Sequence, residues 1–351
     1  MTNFFESLLV QVWYPSTVAT QSFFIKQRIL DYLEATGTPE DIDYKLHDFG
    51  FRGVSSVESA AIGGLAHLVN FKGSDTLIAV QAARKFYHEK GMPCSSVPAS
   101  EHSTITSWGK EHELDAYRNL LSVYDSGIVA CVSDSYDLQK AISELYGGQE
   151  LRGKIEARQG TLVIRPDSGD PTSVVLDSVM RLSDAFGSEV NSKGYKVLNP
   201  KVRVLQGDGI NYQSIEAILI RLMRHGWSAD NISFGMGGAL LQSINRDTQK
   251  FAFKCSSAVV DGETRDVFKD PAGDSGKRSK RGRLGLMKTV YGEHLTIPEG
   301  FGEGIDELSM VFYNGFITKE VSLQIVRDNS DQYRKPKAIA TGLKTWQDKV
   351  V

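Results

Sequence analysis

The sequence predicts an α/β fold with parallel strands and crossover helices. Two observations carry this expectation. One plan recurs four times: a short β-branched strand, a loop of glycine, aspartate and serine, then an amphipathic helix. The glycine and acidic residues also gather at these strand-to-helix loops. In such folds ligands lie at the carboxyl ends of the strands, so the loops are where a site is expected.

Taken in order, Ser16 to Thr36 reads as one long helix with Phe24, Ile25, Ile29 and Leu33 as its apolar stripe. Ser55 and Glu58 have the spacing of a capping box that opens a second helix. The strand Ile128 to Val132 runs into SDSYD, and Leu162-Val163-Ile164 runs into RPDSGDP. The helix after RPDSGDP places Val175, Val179, Leu182 and Phe186 on one face, with Gly187 as its stop. Val202 to Leu205 runs into QGDG and a helix from about Ser214, with Ile215, Ile218 and Leu222 aligned and Gly226 as its end. Ile232-Ser233-Phe234 runs into GMGGALL. The stretch from about Phe251 to Gly302 is glycine-rich, basic and aperiodic, which suits either a long loop or a small β appendage. Asn314-Gly315 between alternating apolar residues reads as a hairpin turn.

The length of 351 residues suits two domains at about 150 residues each, or one α/β barrel. A hydrophobic fraction of 41% supplies a sizeable core, and a net charge of -3 means that any phosphate binding relies on local clusters. Cys94, Cys131 and Cys255 lack zinc-type spacing, so no metal site of the protein's own is expected. Cys131, inside GIVACV, reads as a core residue. These cysteines, the lack of a signal-peptide pattern and the absence of a run of about 18 apolar residues point to a cytoplasmic chain without a membrane span. The apolar stretch Phe4 to Tyr14 is core-like from the outset and suggests that an N-terminal partner segment is absent.

Four loops carry chemistry. RPDSGDP offers Arg165, Asp167 and Asp170, where an arginine fork matches phosphate oxygens and a carboxylate holds a ribose hydroxyl; an ion pair at a helix start is the plainer alternative. QGDG sets Asp208 between Gly207 and Gly209, and Gly235 to Gly238 form a similar cradle, with Arg246 two helical turns beyond it. Neither loop is a dinucleotide fingerprint or a P-loop. In YKLHDFGFRG, Phe49 or Phe51 can stack on a heteroaromatic ring, and Phe51 is expected in the core. Lys72 and Asp75 follow in NFKGSD, with Asp75 either functional or a helix cap, and His102 stands among hydroxyl residues in SEHSTIT. The basic run from Lys277 to Arg283 reads as a solvated loop or a polyphosphate contact, and the net charge argues against nucleic acid.

The segments YKLHDFGFRGVSS, HLVNFKGSDT, SVPASEHSTIT, VSDSYD, IRPDSGDP, VLQGDG, FGMGGALLQ and FKDPAGDSGKRSKRGRL, in this order, resemble the nicotinamide phosphoribosyltransferase family from about Trp13 to Tyr313. The resemblance implies an irregular type II phosphoribosyltransferase barrel with part of a second, mostly β domain. The expected division is a barrel core over 16–250, a basic loop region, β appendage and C-terminal hairpin and tail over 251–351, and a remnant of the N-terminal region over 1–15. It implies phosphoribosyl transfer from phosphoribosyl pyrophosphate to nicotinamide in NAD salvage. Magnesium would be carried by the pyrophosphate, and ATP would act as a stimulating co-substrate that phosphorylates His102. By matching position, Arg52, His102 and Arg165 hold pyrophosphate. Asp75, Arg165, Asp167, Gly207, Asp208, Gly237, Gly238 and Arg246 surround the ribonucleotide, and Phe49 stacks on the pyridine ring. Lys254, Lys269 and Lys277 line the phosphate side. His102, Arg165 and Asp167 are the catalytic candidates. Family members act as homodimers with active sites at the interface, and an N-terminal segment with a base-stacking tyrosine is not matched in this chain. The rival readings are a nicotinate phosphoribosyltransferase and a catalytically impaired ribonucleotide-binding fragment.

Overall fold

The computed structural model describes residues 2–273, 275–290, 292–302 and 306–333; the expected C-terminal tail from 334 onward lies outside them. Contacts divide the chain into two units, 14–245 with 322–351, and 1–13 with 246–321.

The first unit is built on six parallel strands: β1 (Leu46–Asp48), β2 (Gly73–Ser74), β3 (Ser126–Val132), β4 (Gln159–Arg165), β5 (Val202–Gln206) and β6 (Ile232–Met236). Their order is β2-β1-β6-β5-β4-β3, so the first strand pairs with the last and the sheet curls. The segment between β2 and β3 bridges both remaining edges. Ser95 pairs in parallel with Gly73, and Ala99 with Ala130. The Ser95 N–H donates to the Lys72 carbonyl at 2.8 Å, and the Ala130 N–H to the Pro98 carbonyl at 2.9 Å. The ring therefore closes through an extended stave that continues into the short helix His102–Thr106.

Alternation along the strands sorts the side chains. Val129, Cys131, Leu162, Ile164, Val202, Val204 and Phe234 join the main core beneath the helices. Ala130, Val163 and Leu205 form a separate cluster with Val97 and Phe49, which plugs the barrel. Each fully buried Val, Leu or Ile contributes about 1.5–3 kcal/mol, so the outer layer carries most of the stabilisation.

The helix Pro171–Phe186 starts where the Asp170 carboxylate accepts the Ser173 N–H at 2.9 Å, and it ends at Gly187, whose φ of 85° takes the chain out of the helix. Its expected residues Val175, Val179, Leu182 and Phe186 are all buried. The helix Tyr212–Arg224 is opened by a reciprocal cap between Asn211 and Ser214. The first long helix spans Trp13–Thr36. One expectation is corrected: the helix Val57–His67 is capped by Ser56, which accepts the Ser59 N–H, and not by the Ser55/Glu58 pair. Ser56 has the extended backbone a cap requires, so Glu58 falls one position too early to close the box. The helix Leu323–Asp331 completes this unit, with Leu323 buried against Leu65, Ala82 and Ala83.

The second unit holds antiparallel hairpins. Ser257–Val260 pairs with Glu263–Asp266, and Leu284–Lys288 with His294–Pro298. The aperiodic stretch is thus β structure at these positions. Phe312–Tyr313 pairs with Phe316–Ile317 around Asn314 and Gly315, whose φ values of 49° and 90° are those of the expected hairpin turn. Among the described residues no helix is long and apolar enough to cross a membrane.

Candidate functional site

A cleft of about 570 Å³ opens at the carboxyl ends of the barrel strands, lined by the loops after β1, β2, β4, β5 and β6. It brings together Phe49, Arg52, Asp75, Arg165, Asp167, Gly207, Asp208, Gly237 and Gly238. Residues so far apart in the chain meet because every parallel strand delivers its loop to the same end.

The loop after β1 is pinned from below. The Asp48 carboxylate accepts the Gly50 N–H at 2.7 Å, and the Phe49 N–H donates to the Met236 carbonyl at 3.1 Å. Burial pushes the Asp48 carboxyl up to about 6, against the stabilising Gly50 hydrogen bond. Phe49 is half-buried at the cleft floor, whereas Phe51 is 38% exposed and also lines the cleft. The expectation that Phe51 packs in the core is therefore wrong. It sits in the short 3-10 turn Phe51–Gly53, which lifts it off the sheet together with Arg52.

Asp75 is not a helix cap, because the helix Ile78–Tyr87 begins without one. Its N–H donates to the Asp48 carbonyl at 2.9 Å, and its carboxylate accepts a short hydrogen bond from the Ser96 hydroxyl on the stave. The base of the cleft is thus tied to the segment that closes the barrel.

Arg165 ends β4 in the cleft, and its buried Nε has no hydrogen-bond partner. A buried guanidinium donor left unsatisfied is costly, and an anionic or hydroxyl oxygen is the kind of acceptor that would satisfy it. Asp134, whose side chain is 4% exposed, organises the neighbouring loop. Its Oδ2 accepts the Asp167 N–H at 2.8 Å and the Ser168 hydroxyl at 2.6 Å. Its Oδ1 lies 3.6 Å from His102 Nε2, and Asp167 Oδ2 lies 3.4 Å from the same nitrogen. The Ser135 hydroxyl meets His102 Nδ1 at 3.0 Å. His102 is therefore held on one ring nitrogen while the other faces two carboxylates. Asp170 instead caps its helix, and hydrogen bonds from Thr172 and Ser173 hold its carboxyl below the usual range.

Gln206 is buried beneath the β5 loop, where its amide donates to the Asp208 carbonyl at 3.0 Å. Gly209 takes a φ of 66°, which lets the chain turn tightly into the Asn211 cap. After β6, Gly238 opens only a single turn of helix, Gly238–Leu241. The expected continuous helix carrying Arg246 back toward a phosphate does not form. Arg246 starts a 3-10 turn in the second unit, where it pairs with Asp247 at 3.0 Å. Lys254, Lys269 and Lys277 are exposed residues of that same unit.

Sequence reasoning passed over Asp134, Ser135, Ser96, Glu101, Thr76 and Gln242. Of these, Glu101, Thr76 and Gln242 line the cleft, and the others hold its residues. The polar run SDSYD directly after a strand was the available signal for Asp134 and Ser135.

A parallel barrel with a cleft at its carboxyl end, an arginine with an open donor, carboxylates and glycine-rich turns make up the kind of site that suits a phosphorylated sugar. A family model described as the nicotinate phosphoribosyltransferase (NAPRTase) family matches residues 44–299. The chain is 53% identical over 342 residues to the nicotinamide phosphoribosyltransferase of Xanthomonas campestris pv. campestris (strain 8004), covering 95% of this chain and 72% of that protein. It is 34% identical over 354 residues to the nicotinamide phosphoribosyltransferase of Acinetobacter baylyi, covering 95% of this chain and 70% of that protein. The crystal structure of nicotinate-nucleotide pyrophosphorylase from Pyrococcus furiosus shares the fold at a TM-score of 0.56 and 16% identity, over 91% of this chain and 69% of that one. The chain belongs to the nicotinate phosphoribosyltransferase family, and it is a phosphoribosyltransferase.

Proposed function

We propose that the chain joins nicotinamide to the ribose of phosphoribosyl pyrophosphate, giving nicotinamide mononucleotide and pyrophosphate in NAD salvage. The observation that carries this reading is the cleft itself: an open Arg165 donor beside Asp167 and Asp208, with Phe49 at the floor and Asp75 at the side. The pyridine nitrogen attacks the anomeric carbon, and the bond from that carbon to the pyrophosphate oxygen breaks with its electron pair leaving on pyrophosphate. The transition state resembles an oxocarbenium ion, so positioning and charge stabilisation supply most of the acceleration. Arg52 and Arg165 stabilise the departing pyrophosphate, while Asp167 and Asp208 hold ribose hydroxyls and favour the developing positive charge.

Asp75 and Glu101 also line the cleft, so four carboxylates face a polyanionic substrate. Among the described residues no cluster of three or more His, Cys, Asp or Glu forms a metal cage. Magnesium enters as part of the pyrophosphate substrate, where it offsets this repulsion.

Nicotinamide is preferred over nicotinate because the Asp75 carboxylate accepts a carboxamide N–H and repels a carboxylate. The names of the 53% and 34% identical relatives support the same base. The test is mononucleotide formation from each base with phosphoribosyl pyrophosphate and magnesium, in wild type and Asp75→Ser. Loss of the preference in the variant is expected; an unchanged preference refutes the role, and no product from either base refutes the activity.

The surroundings of His102 support a second step, in which one of its ring nitrogens attacks the γ-phosphorus of ATP and ADP departs. Nε2, 3.4 Å from Asp167, faces the cleft loop, and Ser135 steadies the opposite nitrogen. An acid-labile phosphate that vanishes in His102→Ala is the expected result; label retained in that variant refutes it. Action as a homodimer in the cytoplasm completes the proposal.

A further inference from the structure

Gly235 is the fourth of the five residues of β6, beside His47 in parallel register, where a β-branched or aromatic residue is the usual choice. A glycine there lowers strand stability unless something approaches closely. The something is Phe49. A Cβ built on Gly235 would lie 2.0 Å from Phe49 Cε2, 2.4 Å from Cδ2 and 2.7 Å from Cζ. Ordinary contact begins at 3.4 Å, which is the distance from the same ring edge to a Cβ built on Gly207 of the neighbouring loop. Gly235 has no positive φ, so its backbone does not demand glycine; the ring does.

We infer that Gly235 is the residue that sets the clearance of the base pocket, by letting the Phe49 ring sink between β5 and β6. This rests on the reading of Phe49 as the wall on which the base stacks. Alanine at this position forces the ring edge to move by about 1.4 Å, the gap between 2.0 and 3.4 Å. Inward movement is blocked by Ala130, Val163 and Leu205, against which the ring already packs. The ring therefore rises into the cleft. A stacked base sits about 3.5–4 Å from its wall, so a rise of this size removes much of its slot. Gly235 is a positioning residue that acts through Phe49, selecting for a flat aromatic base without touching it.

The experiment is a double-mutant cycle of Gly235→Ala and Phe49→Leu, read by calorimetric titration with nicotinamide and with pyrophosphate and by thermal unfolding. Leucine has no counterpart of Cε2 and Cζ, and its Cδ methyls, unlike the ring Cδ2 at 2.4 Å, can turn away about the Cβ–Cγ bond, so it relieves the overlap. Gly235→Ala is expected to weaken nicotinamide by about 10- to 100-fold while pyrophosphate changes by less than about threefold. The double variant is expected to regain most of the melting temperature that Gly235→Ala loses. A folded Gly235→Ala protein that binds nicotinamide within about twofold of wild type overturns the inference. So does a double variant no more stable than Gly235→Ala, including the case in which neither folds, because alanine then clashes with something other than the ring. If wild type itself does not bind nicotinamide, the base assignment fails, and the melting temperatures alone decide whether Gly235 seats the ring.

Discussion

Replacing Asp134 by alanine tests whether one buried carboxylate holds the Asp167–Ser168 loop of the cleft together. Asp134 Oδ2 accepts two hydrogen bonds, from the Asp167 N–H at 2.8 Å and the Ser168 hydroxyl at 2.6 Å. Its side chain is 4% exposed, so water does not readily replace what is lost. Hydrogen bonds to a carboxylate contribute about 1.5–3 kcal/mol each, and because Ser168 is exposed it recovers a partner from solvent. The net loss is therefore about 2–3 kcal/mol, or roughly 4–12 °C of melting temperature for a domain of this size. The functional loss is larger in kind. Asp167 leaves its place in the cleft and His102 loses one of the two carboxylates near Nε2. A misplacement of about 1 Å at a reacting centre lowers turnover by about 100-fold. The assay is pyrophosphate release under saturating substrates, with a thermal melt on the same preparation. Asp134→Asn keeps an acceptor for the Asp167 N–H and is expected to recover more stability than activity. A folded Asp134→Ala enzyme that melts within about 2 °C of wild type and turns over within about threefold refutes the argument.

His67 is fully buried, with its ring nitrogens meeting the Ser22 hydroxyl at 2.9 Å and the Gly73 carbonyl at 3.2 Å, and burial pushes its pKa down to about 4. The folded value lies below the unfolded one, so its contribution is full above about pH 6.5 and is lost as the pH falls toward 4, for a total of about 3 kcal/mol. Asp48, pushed up to about 6, acts in the opposite direction over part of that window, so the readout is the difference between wild type and His67→Gln in urea melts from pH 7 to 4. That difference is expected to shrink on acidification; a constant difference refutes it. Arg158 donates to the carbonyls of Tyr124, Ser126 and Gly127 at 2.7–2.9 Å, which anchors the start of β3. Arg158→Ala is expected to lose about 3 kcal/mol in the same melts with little change in the KM for either substrate, and a neutral effect on stability would show that the clamp is redundant.

The strands and their loops were legible because β-branched runs that end in glycine and aspartate have few other structural uses. What stayed hidden was set by tertiary geometry. Phe49 and Phe51 are two positions apart, so alternation alone puts both on one face; β1 ends at Asp48 and the 3-10 turn Phe51–Gly53 then carries Phe51 out of the core place expected for it. Ser96 and Asp75 are 21 positions apart and meet only because the stave closes the ring. The helix after the glycines was expected to continue to Arg246, yet it stops at Leu241, and SINRD carries too little helical propensity to extend it. The roles assigned to Lys254 and Lys269 came from resemblance alone, since no periodicity in that stretch gave them a position.

The division of labour at the strand ends follows from the period of two. When an inward residue reaches the cleft, its neighbour points under the helices and is buried. At β1 the pair is Phe49 and Asp48; at β5 it is Gly207 and Gln206. In both, the hidden residue is polar and spends its hydrogen bond on the loop above: Asp48 on the Gly50 N–H, Gln206 on the Asp208 carbonyl. Each also keeps one buried oxygen, Asp48 Oδ2 and Gln206 Oε1, without a partner. An apolar residue at either position would stabilise the layer beneath the helices more than these do. The barrel thus gives up core stability at its carboxyl rim, and what it gains is loops whose backbone is fixed before substrate arrives. That is the arrangement required when charge stabilisation and alignment, rather than a nucleophile of the protein, lower the barrier.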